Sequence, residues 1–81
     1  MNRPNPASAA IDALLAERGD GKTICPSEAA RRLAGEGGDW RAHMDQVHAA
    51  TRDMAAAGKI RLTWRGEPMD EPEGPYRIAR P

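Results

Sequence analysis

Eighty-one residues hold one hydrophobic core and leave no room for a second domain. Twelve Lys+Arg balance twelve Asp+Glu, which excludes both a grossly basic nucleic-acid tail and an acidic tail. Alanine at 15 positions supplies nearly half of the 40% hydrophobic fraction, only nine residues are Leu, Ile or Val, and Phe is absent. With no net charge to hold such a chain open, the composition predicts a small, thin-cored, Ala-rich domain rather than disorder.

Residues 1 to 6 (Met-Asn-Arg-Pro-Asn-Pro) contain no apolar h-region, so they do not read as a signal peptide. No apolar run approaches a membrane span, and no membrane partner is expected. Cys25 is the only cysteine and has no partner for an internal disulfide, which suits a reducing cytoplasm. Residues 1–7 read as a flexible lead, and 8–81 as a single domain.

Ser8 is the expected cap of a first helix, with Ile11, Leu14 and Leu15 at i, i+3 and i+4 on one face. Gly19 follows Arg18 as its stop. Gly19-Asp20-Gly21 makes a turn, and Thr23-Ile24 a strand stub. Cys25-Pro26-Ser27-Glu28 is a strong helix start: Pro26 suits the first helical position, and Glu28 can reach back to the cap residue. This second helix runs through Ala29, Ala30 and Leu33 to Gly35. A third helix, capped by Asp39, is expected from Trp40 to about Ala57, because Trp40, Met44, Val47, Thr51 and Met54 form one inward stripe. After Gly58 the period changes to two, with Ile60, Leu62 and Trp64 alternating against Lys59, Arg61, Thr63 and Arg65. Gly66 to Gly74 reads as a loop, and Tyr76 and Ile78 as a second strand antiparallel to the first.

Helix, stub strand, helix, tight turn, long helix and two-stranded hairpin is the order of a small α+β winged helix-turn-helix, with the hairpin as the wing. The hairpin covers helices too short or too Ala-rich to stand alone. The chain also resembles a family of small bacterial proteins of the winged-helix class known as a domain of unknown function. The resemblance is carried by Lys22-Thr23-Ile24-Cys25-Pro26-Ser27-Glu28-Ala29-Ala30-Arg31, Trp40-Arg41 with Met44, Ala57-Gly58-Lys59-Ile60 and Gly74-Pro75-Tyr76-Arg77-Ile78, and spans residues 8 to 79. It implies the winged-helix fold and brings no activity with it. The Cys-rich segment carried by some relatives has no counterpart in this one-cysteine chain.

Catalytic and cofactor chemistry finds no constellation. Gly21-Lys22-Thr23 lacks the earlier glycine of a P-loop, since Ala16 stands there, and it follows a helix instead of a strand. His43 and His48 lie five apart, about 140° around a helix, and read as boundary residues of the apolar stripe rather than metal ligands. Cys25, at a helix N-terminus, is a candidate reactive thiol, but a Ser-like capping role accounts for it more simply. Glu67, Asp70, Glu71 and Glu73 sit in a Pro-containing loop and read as solvated. Trp40, Trp64 and Tyr76 fall in phase with the buried stripes and read as core rather than base-stacking residues. No enzyme, cofactor, metal or small-molecule ligand is therefore expected.

Nucleic acid is the leading expectation, through fold analogy. The candidate contacts are Arg31, Arg32, Arg41, Gln46, Arg52, Arg61 and Arg65, with Arg41 and Gln46 the base-reading types near the start of the third helix. That helix's outer face cancels Arg41 and Arg52 against Asp45 and Asp53. The strands are basic through Lys59, Arg61, Arg65, Arg77 and Arg80, but the expected wing tip is acidic, so binding should be weak. The alternative is a protein-interaction or homodimer face at Ala42, Asp45, Ala49 and Ala56, where small residues recur every seven positions. Alanine also favours helix on any solvated face.

Overall fold

A computed structural model describes residues 5–81. Of the lead expected at 1–7, residues 1–4 lie outside the described residues, and Asn5, Pro6 and Ala7 form the cap and first turn of α1. The elements are α1 (Pro6–Arg18), β1 (Thr23–Ile24), α2 (Pro26–Ala34), a 3-10 turn (Trp40–His43), α3 (Met44–Ala56), β2 (Arg61–Trp64), β3 (Glu67–Met69) and β4 (Arg77–Ala79).

The first helix starts three residues before the expected point. Asn5, not Ser8, caps it: the Asn5 Oδ1 accepts from the backbone N–H of Ala7 at 2.9 Å and of Ser8 at 3.3 Å. Pro6 then occupies the first helical position, where its missing N–H costs nothing. Ala7, Ala10, Ile11 and Leu15 are buried.

The second helix starts as its sequence predicts. Cys25 is extended at the cap, Pro26 follows, and the Cys25 N–H donates to Glu28 Oε1 at 3.3 Å. The third helix differs from expectation in its first turn. Trp40 to His43 wind as a tighter 3-10 turn, and the α-helix begins only at Met44. Val47, Ala50, Thr51 and Met54 are buried along α3, while Trp40 and Met44 pack half-buried at its start.

The strands form one antiparallel sheet of four, in the order β1-β4-β2-β3, in which the expected stub strand β1 joins the two expected C-terminal strands β2 and β4. Ile24 pairs with Ile78, Ile78 with Leu62, and Leu62 with Met69, so one row of apolar side chains crosses all four strands. This row meets Ile11, Leu15, Ala30, Val47 and Met54 in a single core. The pairing of Leu62 with Ile78 bears out the two expected strands; β3 is an addition. It lies inside the segment read as a loop and carries Pro68 opposite Thr63. Proline is tolerated there because β3 is an edge strand and one of its sides needs no ladder donor.

The hairpin between β2 and β3 turns at Arg65-Gly66, both with positive φ (53° and 81°), the two-residue geometry that suits a twisted hairpin. Its end is therefore Arg65, and the acidic tip expected from the sequence is corrected: Glu67 opens β3, and Asp70, Glu71 and Glu73 lie in the return segment to β4. The three-helix, four-strand α+β arrangement is compatible with a winged-helix-like fold.

Candidate nucleic-acid interface

The seven basic or polar candidates separate by what holds them. Arg32 is tied to Glu17, Nη1 to Oε2 at 2.7 Å. Of the other arginines, Arg18 pairs with Glu28, and Arg80 Nη1 meets Asp20 Oδ1 at 3.0 Å. Arg77 braces the sheet: its Nε donates to Thr23 Oγ1 at 2.8 Å and its Nη2 to the Thr23 carbonyl at 3.2 Å. Among the described residues, Arg31, Arg41, Arg52, Arg61 and Arg65 have no carboxylate partner, and all five are exposed.

Two of these converge. The guanidinium carbons of Arg31, on α2, and Arg41, in the 3-10 turn, lie 4.9 and 4.5 Å from the Trp40 ring centroid. Both distances are within cation–π range, so one half-buried indole holds two charges at the turn between α2 and α3. The turn Gly35–Gly38 closes tightly beneath them. A Cβ on Gly38 would run into the Ala34 carbonyl, so only glycine lets the chain pass so close to the end of α2.

Arg65, at the hairpin end, has its guanidinium carbon 5.7 Å from the Trp64 ring. Trp64 shares the inward face with Ile60 and Leu62 but overshoots the core, and at 37% exposure it corrects the expectation of a core residue. Tyr76, by contrast, is buried as expected. Trp64, Tyr76, His48, Met44 and Cys25 line one groove, which no spacing in the sequence brings together. Within it the Cys25 thiol lies 3.1 Å from Ser27 Oγ and donates to Glu28 Oε1 at 3.3 Å, both side-chain contacts within the first turn of α2. His48 Nδ1 and the Tyr76 hydroxyl lie 2.6 Å apart.

Gln46, Asp45, Ala49 and Ala56 are exposed on α3, with Arg52 beside them. Ala42 is exposed too, but it belongs to the 3-10 turn, so the seven-residue alanine ladder is not one continuous helical ridge. Asp45, Ala49 and Arg52 line a cleft with Pro72 and Gly74, because the return segment from β3 runs alongside α3. The described residues contain no group of three or more His, Cys, Asp or Glu able to hold a metal. None of their helices is long and apolar enough to cross a membrane.

This is a small α+β domain in which three of the five unpaired arginines among the described residues stand at the α2–α3 turn (Arg31, Arg41) and the hairpin end (Arg65), while Arg52 lies on α3 and Arg61 opens β2. By sequence, residues 4–81 match the family described as "Protein of unknown function (DUF3253)", and the chain belongs to it. No curated protein matches the chain.

Proposed function

We propose that the protein is a winged-helix module that binds nucleic acid weakly through the phosphate backbone, as a small regulatory or accessory protein of the cytoplasm. The observation that carries this reading is the pair Arg31 and Arg41, stacked on Trp40 and free of carboxylates among the described residues. In the winged-helix reading, Trp40–Ala56 is the recognition segment and the β2–β3 hairpin is the wing. Arg41 then stands at the start of the recognition segment and Arg65 at the wing's end. A cation there can follow a phosphate strand, which the acidic tip expected from the sequence could not. Asp45 and Asp53 on the exposed face of α3 oppose deep contact with base edges, so phosphates dominate and sequence discrimination is slight.

Fluorescence anisotropy with a labelled duplex at low salt tests the reading. Arg41→Ala should weaken binding severalfold, whereas Arg32→Ala, whose charge is already engaged by Glu17, should change it little. Equal losses from the two variants, or no binding by the wild type, contradict it. The homodimer reading has less support, since the ladder breaks at Ala42 and Ala49 faces a cleft shared with its own chain's Pro72 and Gly74.

A further inference from the structure

Beyond the phosphate contacts, we infer that the groove beside Trp64 takes a single unpaired nucleobase, so the protein prefers single-stranded nucleic acid to duplex. The inference rests on the nucleic-acid reading for its partner class and on a separate set of residues for its site. Trp64 is the exposed large hydrophobic among the described residues, at 37% exposure. Its ring is approached by one guanidinium, that of Arg65 at 5.7 Å, whereas the Trp40 ring is occupied by two at 4.9 and 4.5 Å.

The groove is built for a flat, mostly apolar ring with polar edges. Its volume is about 320 Å³, and Trp64, Tyr76, His48 and Met44 supply aromatic and thioether surface. Cys25 and Ser27 line one margin; the thiol is engaged by Glu28 Oε1, and the Ser27 oxygen keeps a lone pair that can accept from the polar edge of a base. Charge selects the partner. No carboxylate residue lines the groove, and its one formal charge is that of Arg77, which bonds only to neutral Thr23 atoms. Arg65 stands just outside, its guanidinium at the outer limit of cation–π distance from Trp64, where it can meet the phosphate attached to a stacked base. An apolar peptide would gain nothing from these two cations. In a duplex the bases are stacked on one another and none can enter, so the groove discriminates by strandedness rather than by sequence.

Anisotropy titrations with a labelled oligothymidylate and a DNA hairpin of equal phosphate number, at one low salt concentration, test this. The oligothymidylate should bind about tenfold more tightly. Trp64→Ala should remove that preference, bringing oligothymidylate binding down to the level of the hairpin, and Trp64→Phe, which keeps an aromatic face, should restore most of it. If the two probes bind equally and Trp64→Ala affects neither, the nucleobase assignment is overturned while the phosphate reading stands. If single strands bind with the Trp64 dependence but Arg31→Ala and Arg41→Ala have no effect, the phosphate reading fails and the groove assignment survives. A concentration-dependent dimer that Trp64→Ala dissolves, with no preference between probes, gives the groove to a second copy and overturns the assignment.

Discussion

His48 Nδ1 lies 2.6 Å from the Tyr76 hydroxyl, a bond that ties the exposed side of α3 to the residue leading into β4. The two rings sit 5.6 Å apart at a tilt of 56°, so the contact is made by their edges as well as by the bond. Tyr76 is buried, and its hydroxyl is the polar end of an otherwise apolar plug between helix and sheet. Tyr76→Phe should cost about 1 kcal/mol in urea unfolding, the usual price of a lost partner for a half-buried nitrogen. An unchanged midpoint would show that the bond contributes nothing.

The same residue sets an alkaline limit. Burial raises the Tyr76 phenol above the ordinary 10.0, with the Thr51 hydroxyl and the Arg52 charge opposing. Unfolded chains therefore release this proton at a lower pH than folded ones. The stabilisation is fully present below about pH 10 and is lost as the pH rises through the folded value. Tyr76 is the only tyrosine, so the phenolate absorbance of the native protein reports it alone. Its midpoint should lie above that of the urea-unfolded protein, and coincident midpoints would contradict the burial.

Asn5 and Ser8 offer a direct contest for the cap of α1. Asn5→Ala should destabilise the protein by about 1 kcal/mol, because two backbone donors lose their acceptor. Ser8→Ala, inside the helix, should be nearly neutral or slightly stabilising. Chemical denaturation of both variants decides it, and the reverse order would place the cap where the sequence pattern alone puts it.

Gly38→Ala should lower stability by about 1–3 kcal/mol, since the added methyl meets the Ala34 backbone. Glu36→Ala, in the same turn but exposed, should stay within about 0.5 kcal/mol. Because Gly38 leads directly to Asp39 and Trp40, the alanine variant should also weaken DNA binding. Normal stability in Gly38→Ala would mean that the turn is looser than the structure has it.

The sequence revealed those parts of the fold that depend on local chemistry. Cys25-Pro26-Ser27-Glu28 starts a helix because the proline ring and the Glu28 carboxylate act within one turn, and Gly58 marks the change from helix to strand because its φ of 74° suits glycine. The parts it concealed depend on tertiary position. Pro68 argues against a strand unless that strand is known to be an edge, and Arg65 shows no sign of the positive φ that makes it the hairpin end. With β3 hidden, four acidic residues looked like a wing tip. Trp64 kept its period-two phase, but a pattern cannot show that a strand runs past the helices it covers. Among the site residues, Arg31 and Arg41 were visible as cations; that Trp40 gathers them, and that Glu17 withdraws Arg32, follows only from how α2 meets the turn and α1.

Phosphate contacts by Arg31, Arg41 and Arg65 should show in the salt dependence of duplex binding, measured in the wild type and in a variant with all three changed to alanine. Three such contacts predict a slope of log K against log salt of about −2.7. The triple variant should lose most of that slope together with its affinity. A wild-type protein that does not bind at low salt, or a triple variant with an undiminished slope, would contradict the account.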